Sequence, residues 1–252
     1  MAGWMVAIRG KRPVKKTRAQ CRAERSPSYR WWRHALALAA ISVAVIAVSI
    51  SQLHRVAAWQ WLCFGGFLIF TNFAEYWLHR IPFHNPLIPD FTYYAHTVGH
   101  HGFFSYKRMQ VDEMNDLRFV MFEVWVELLT IGTAALISLP IYFYAGHNLA
   151  WLYMLAVMSY YSIYEATHAL SHLPEDNPVG AMRLVKALGY HHRVHHDPRL
   201  MRKYNFNFAI PLFDWMFGTT YHPAPVAVPV HAPVSPDPGA RETSGAGIAG
   251  AI

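Results

Sequence analysis

The segment Gly189-Tyr-His-His-Arg-Val-His-His-Asp-Pro198 carries four histidines within six positions, and the rest of the chain is best interpreted outward from it. Residues three and four positions apart share one face of a helix, so His192, His195 and His196 are predicted to direct three imidazoles toward one point. Eleven of the 16 histidines fall in four such boxes along the chain. The other three boxes are His79/His84, His96/His100/His101 and His168/His172, and the i, i+4 pairs His96/His100 and His168/His172 are each predicted to aim at one point in the same way.

The density of these histidines indicates metal binding. Burying that many imidazoles is costly unless their lone pairs are used. Imidazole is a good ligand for Zn, Cu, Fe and Ni, and the boxes supply many more ligands than the four that one tetrahedral zinc takes. The sequence therefore predicts two metal ions, with the role of His191 left open. The predicted ligands are His79, His84, His96, His100, His101, His168, His172, His192, His195 and His196.

Two carboxylates lie beside the boxes. Glu75 precedes His79 by four residues and Glu165 precedes His168 by three. Metal-bound histidines usually donate their second N–H to a carboxylate or a carbonyl. Glu75 and Glu165 are therefore predicted to orient these ligands and to take part in catalysis. The alternative is that each is simply a charged side chain at the membrane interface.

The composition indicates a membrane protein. Hydrophobic residues make up 54% of the chain and charged residues only 15%. A net charge of +7 would ordinarily suggest a nucleic-acid partner, but ten of the 22 lysines and arginines lie in residues 1–33, directly before an apolar run. This asymmetry is typical of a cytoplasmic arm that precedes a transmembrane helix, so no nucleic-acid partner is expected.

Four apolar stretches predict four transmembrane helices, because a helix needs about 20 residues to cross a bilayer. They are residues 35–53, 57–77, 117–144 and 149–167, of which the third contains Gly132 and Pro140 and allows either one tilted helix or two half-helices. Four crossings put the N-terminal arm and all four boxes on the same, cytoplasmic face. The prediction is thus an all-α integral membrane protein whose cytoplasmic helical cap carries the histidines.

This interpretation divides the chain into three parts. Residues 1–33 form a basic cytoplasmic arm that lacks helical periodicity and is expected to be disordered or to lie on the surface. Residues 34–222 form the membrane domain. Residues 223–252 are rich in Pro, Ala and Gly and are expected to be a disordered tail.

Taken in order, the boxes resemble those of the membrane-bound fatty acid hydroxylase / sterol desaturase superfamily of di-iron proteins. The similarity runs over residues 57–222 and includes H-x4-H at His79/His84, H-x3-H at His168/His172 and H-x-x-H-H at His192/His195/His196. The segment from Tyr204 to Thr219 also resembles the one that follows the family's last box. Box two departs from the pattern, because it has H-x3-H-H where fatty acid hydroxylases usually show H-x-x-H-H.

The resemblance implies two iron ions, O₂ as co-substrate and hydroxylation of a fatty-acyl or related lipid that enters from the membrane. With no fused haem-binding electron-carrier domain expected, electrons are predicted to come from a separate electron-transfer protein. A lipid or sterol desaturase with the same metal site stays open, since both reactions begin by removing hydrogen from a C–H bond. A membrane di-haem cytochrome and a membrane metal-binding or transport protein stay open as well.

Overall fold

The computed structural model describes residues 16–87 and 90–223. Every regular element in these two ranges is helical, and the β pairing within them is an isolated bridge between Ser105 and Arg108. The prediction of an all-α fold is therefore confirmed for this part of the chain. The first 15 residues of the predicted arm and residues 224–252 of the predicted tail lie outside the described residues.

Four long helices form the body of the protein, and five short ones surround the histidines. The long helices are α2 (Trp31–Ser51), α3 (Ala58–Arg80), α6 (Val124–Ala145) and α7 (His147–Ser171). The short ones are α1 (Arg18–Glu24), α4 (Phe91–Tyr93), α5 (His101–Phe103), α8 (Arg183–His195) and α9 (Leu212–Met216). A π-helical segment, Tyr94–His100, joins α4 to α5, and a 3₁₀ helix, Met114–Phe119, precedes α6.

The third apolar stretch forms one long helix, because α6 continues through both Gly132 and Pro140. The turn to α7 is very short and depends on Gly146, whose φ of +104° is strained for a residue with a side chain. This turn sets α6 and α7 side by side.

Helix α7 is the centre of the bundle and packs against α2, α3, α6 and α8. Leu152, Ala156 and Met158 on α7 are fully buried. The outer helices instead expose large apolar side chains, among them Val43 on α2 and Leu136 on α6. Within the described residues, two segments, Trp31–Ser51 and Met114–Ala145, are long and apolar enough to cross a membrane by length and composition.

The described part of the N-terminal arm contains a short helix, α1, that was not predicted from the sequence. Thr17 and Gln20 form a capping box that starts α1, and the side chain of Arg18 is buried. Arg18 and Arg22 of α1 form ion pairs with Asp112 and Asp116, and Arg25, the residue after α1, pairs with Glu113. Hydrophobic periodicity could not reveal this helix, because charge pairs across the fold hold it in place.

Candidate metal centre

The ten predicted ligands meet in two adjacent clusters. The first cluster contains His79, His84, His96, His101 and His195, and the second contains His100, His168, His172 and His192. Within each of these groups the potential ligand nitrogens all lie within 4.8 Å of one another. His196 adjoins the second cluster, with its Nε2 atom 3.0 Å from that of His192 and 3.1 Å from that of His100, and we count it there.

Helix ends and the turns after them supply these side chains. His79 lies in the last turn of α3, and His84 follows in the turn after it. His168 lies in the last turn of α7 and His172 is its C-cap residue. All of these imidazoles are brought together because α3, α7 and α8 end at the same side of the bundle.

Box two is divided between the clusters by the π-helical segment. The backbone N–H of His101 donates to the carbonyl of His96, five residues earlier. The wider turn aligns His96 with His101, and their Nε2 atoms are 3.0 Å apart. His100 points instead to His168 and His196 of the second cluster. The prediction that His96 and His100 would meet at one point is therefore wrong.

Box four is also divided. His192 and His196 contact each other in the second cluster, whereas the Nε2 atom of His195 lies 2.9 Å from that of His84 in the first. The prediction that all three imidazoles would reach one point is wrong, because two clusters flank the end of α8. Box three behaves as predicted, since His168 and His172 both lie in the second cluster.

Backbone carbonyls fix the orientation of five of the rings through their Nδ1 atoms. The acceptors are Phe206 for His79, Phe119 for His100 (2.9 Å), Met109 for His172 (2.7 Å), Tyr204 for His195 (3.0 Å) and Phe104 for His196 (2.7 Å). A carbonyl oxygen can only accept, so each of these Nδ1 atoms carries a proton. In the neutral ring, Nε2 then keeps its lone pair and directs it into the cluster.

Burial keeps the imidazoles neutral. Desolvation, with repulsion from neighbouring charges, lowers the pKa of His84 to about 3. Burial likewise lowers the pKa of His100 to about 4. The pKa values of His101, His192 and His195 are also held well below their usual value, first by burial and then by the surrounding imidazoles. The clusters therefore present neutral ligands at pH 7, the form that binds metals.

The spacing of the Nε2 atoms fits metal ions. Neighbouring Nε2 atoms lie between 2.9 Å (His84 to His195) and 3.2 Å (His100 to His168) apart. Such close lone pairs repel each other unless a cation lies between them. Two imidazole nitrogens bound at right angles to one metal at about 2.1 Å are about 3.0 Å apart. The donor set and its geometry thus fit one metal ion in each cluster.

The two predicted carboxylates lie near the clusters but contact other groups. Within the described residues, neither Glu75 nor Glu165 hydrogen-bonds an imidazole, and at His79 the carbonyl of Phe206 occupies the position expected for Glu75. Glu75 accepts hydrogen bonds from the Phe208 N–H (2.6 Å), the Asn207 side chain (2.9 Å) and the Tyr160 hydroxyl. Glu165 accepts a weak hydrogen bond from the Phe122 N–H, at 3.3 Å.

A clamp built on Asp214 was not predicted from the sequence. The carboxylate of Asp214 is fully buried and accepts from the N–H groups of Phe206 (2.9 Å) and Asn207 (2.7 Å) and from the Thr219 hydroxyl (2.7 Å). His191, whose role was open, donates its Nε2 proton to the Asn207 carbonyl at 3.0 Å and lies outside both clusters. The clamp thus holds the loop whose carbonyls orient His79 and His195.

A large apolar cavity joins the clusters to the interior of the helix bundle. It has a volume of about 940 Å³ and is lined by His79, His96, His100 and His168 together with residues of α3, α6 and α7. Along α6 its lining extends from Val126 to Ile137, a distance of about 16 Å at 1.5 Å per residue. The cavity can therefore hold an extended apolar molecule that reaches the histidines.

A model of the fatty acid hydroxylase family matches residues 64–219, which include all four boxes, both carboxylates and Asp214. The chain belongs to the fatty acid hydroxylase family. Membership implies an oxidoreductase that acts on a lipid. The matched region begins inside α3, so α1 and α2 of this fatty acid hydroxylase family protein precede it.

The fold is similar to that of a solved structure described as full-length Scs7p, in which only the hydroxylase domain is visible. The TM-score is 0.53 with 18% sequence identity, over 76% of this chain and 67% of that one. At this identity the likeness shows a shared fold. No curated protein sequence matches the chain.

Proposed function

We propose that this family member is a membrane di-iron enzyme that uses O₂ to hydroxylate a fatty-acyl or related lipid. The observation that carries the proposal is the apolar cavity, which leads from the bundle interior to His79, His96, His100 and His168. An oxidising metal centre at the end of an apolar cavity acts on the part of a lipid acyl chain that reaches the metal. A separate electron-transfer protein supplies the electrons.

In this proposal α2, α3, α6 and α7 all cross the bilayer. They contain 21, 23, 22 and 25 residues, and at 1.5 Å per residue each is at least as long as a hydrocarbon core of about 30 Å. The α2–α3 and α6–α7 turns lie together at one end, where the Asn148 side chain donates to the His54 carbonyl at 2.7 Å. Arg55 is the single Lys or Arg in these two turns. Because lysine and arginine are enriched in cytoplasmic loops, a single cation favours the outer face of the membrane for these turns and the cytoplasmic face for the histidines.

Each cluster holds one iron in this proposal, with His196 counted in the second. The chemistry supplied by a bound iron pair is the reduction of O₂ and the removal of hydrogen from an unactivated C–H bond. The protein itself positions one carbon of the lipid and keeps water away. Phe208 contributes to keeping water away, because its ring stacks on His168 at 5.1 Å and packs edge-on against His192 at 4.3 Å.

Glu75 and Glu165 act in this scheme as positioning residues. Glu75 joins α3 to the loop at Asn207 and Phe208, so it fixes the ring that covers the second cluster. Glu165 ties α7 to the backbone at Phe122 beside the cavity. Among the described residues, neither carboxyl group hydrogen-bonds a predicted ligand, so replacing either glutamate by glutamine is expected to lower activity without emptying the metal site.

The test compares the lipids of cells with and without the protein by mass spectrometry, and measures iron in the same purified samples. Hydroxylation predicts lipids that gain one oxygen and a preparation with two irons per chain. A loss of two hydrogens instead would identify a desaturase with the same metal site. Unchanged lipids, or full activity with one iron or none, would refute the proposal.

A further inference from the structure

Arg18 in the N-terminal helix α1 binds three backbone carbonyls of a distant segment. Its Nε donates to Phe103 (2.9 Å), and its terminal nitrogens donate to Gln110 (3.0 Å) and Arg108 (2.6 Å). The guanidinium also lies 4.8 Å from the centre of the Phe103 ring and 5.1 Å from that of Phe104. Arg18 therefore holds residues 103–110 as one unit, although it precedes them by more than 80 positions.

The segment held by Arg18 also orients the second cluster. The carbonyl of Phe104 accepts from His196 Nδ1 and that of Met109 accepts from His172 Nδ1, both at 2.7 Å. The backbone N–H of Val111 in turn donates to the carbonyl of His172 at 2.9 Å. The buried ring of Phe104 packs on the His172 ring at 4.2 Å. Along this segment, the carbonyls that Arg18 binds thus alternate with the carbonyls that orient His196 and His172.

Two further arginines attach α1 to the same region. Arg22 forms a two-point ion pair with the buried carboxylate of Asp116, at 2.8 and 2.5 Å, and Arg25 pairs with Glu113 at 2.8 Å. Asp116 also accepts from the backbone N–H groups of Asp112 and Glu113. The 3₁₀ helix that contains Asp116 ends at Phe119, whose carbonyl orients His100.

We propose that α1 is a positioning element for the second metal cluster and that Arg18 is its principal residue. The proposal rests on the metal binding proposed above and concerns a segment that precedes the region matched by the family model. Arginine is suited to the role because its planar group presents several donors in a fixed geometry, whereas lysine offers one compact ammonium. Releasing residues 103–110 would free the His172 and His196 rings, while the loop that orients the first cluster would stay in place.

The test compares full-length wild type with Arg18→Ala, Arg18→Lys and the control Arg30→Ala. Arg30 is an exposed arm residue whose side chain, among residues 16–87 and 90–223, donates only to the nearby carbonyls of Pro27 and Tyr29. Metal per chain is measured after dialysis against a chelator, and hydrogen–deuterium exchange is followed at residues 103–111 and 205–208. We expect Arg18→Ala to keep about one metal where wild type keeps two, through a loss of affinity of about tenfold or more at one site.

In Arg18→Ala, hydrogen–deuterium exchange should rise at residues 103–111 and stay unchanged at residues 205–208. Arg18→Lys should give intermediate exchange, and Arg30→Ala should resemble wild type. Two retained metals with unchanged exchange in Arg18→Ala, or equal loss of both metals, would overturn the proposal. If Arg18→Ala does not fold, Arg18→Lys decides by the same criteria. If wild type holds no metal, the proposed function fails, while the exchange comparison still tests whether Arg18 holds this segment.

Discussion

Replacing Asp214 by asparagine should weaken the first cluster and leave the second intact. Asp214 accepts from two backbone N–H groups and the Thr219 hydroxyl while fully buried. Asparagine has the same shape but presents one amide NH₂, which would face an N–H group instead of accepting from it. The loop at Phe206 and Asn207 would then shift, and the carbonyls of Tyr204 and Phe206 would no longer hold His195 and His79.

The expected magnitude follows from the hydrogen bonds lost. One bond to a charged acceptor contributes about 1.5–3 kcal/mol, and the buried N–H left without an acceptor raises the expected total to about 2–4 kcal/mol. For a chain of this size, that lowers the melting temperature by about 5–15 °C. Loss of groups that orient ligands commonly reduces metal affinity about 10–100-fold, and here the reduction should affect one metal of the two.

The assay is metal per chain after dialysis against increasing chelator, together with thermal unfolding of the same samples. Asp176→Asn is the matched control, because Asp176 is exposed. Asp214→Asn should release one metal at a lower chelator concentration than wild type, and the second metal at the wild-type concentration. Wild-type retention of both metals, or release of both together, would refute the assignment of Asp214 to the first cluster.

Three other predictions follow from the same geometry. His192→Ala should abolish lipid oxidation and lower bound iron, because the Nε2 atom of His192 lies 3.0–3.1 Å from those of His168, His172 and His196. His147→Ala, at the opposite end of the bundle, should retain activity and iron. Wild-type activity in His192→Ala would contradict the assignment of the site. Ala134→Leu fills part of the cavity wall, so it should shift the oxidised lipids toward shorter acyl chains, whereas Ala135→Leu at the neighbouring, exposed position should not. The same chain-length profile in both variants would argue against the cavity as the lipid site. Metal-free protein should lose stability as pH falls from 6.5 toward 4, because the unfolded chain binds protons that buried His84 and His100 do not. The slope is up to about 1.4 kcal/mol per pH unit for each histidine. Chemical unfolding at pH 7, 6 and 5 checks this, and a flat profile, or stability that rises as pH falls, would contradict it.

The long helices and the gathering of the histidines were predictable because each has a local cause. Apolar runs of about 20 residues are long enough to predict helices, so α2, α3 and α7 were found close to their observed bounds, whereas α6 begins at Val124 and its apolar stretch was predicted from residue 117. Imidazoles at that density require a common ligand, and the ten histidines do meet in the structure. Iron and the four membrane crossings remain proposals that these findings support.

The assignment of each histidine to a cluster was not predictable from spacing. The rule for positions i and i+4 assumes an α-helix and a single target, and both assumptions fail at His96 and His100. The groups that orient the rings were hidden for another reason: they are backbone carbonyls, which have no signature in a sequence. Arg18 and Asp214 hold the segments that carry those carbonyls, and the sequence alone shows only an ordinary arginine and an ordinary aspartate.

The π-helical turn of box two accommodates a histidine spacing, H-x3-H-H, that differs from the H-x-x-H-H usual in fatty acid hydroxylases. In H-x-x-H-H on an α-helix, the first and last histidines are four residues apart and bonded N–H to carbonyl. Here His96 and His101 are joined in the same way across five residues. The extra residue is accommodated by a wider hydrogen-bonded ring, and such π turns are frequent at functional sites. In a regular helix, one extra residue would rotate every later residue about the helix axis. Here all three imidazoles of the box stay within the metal centre.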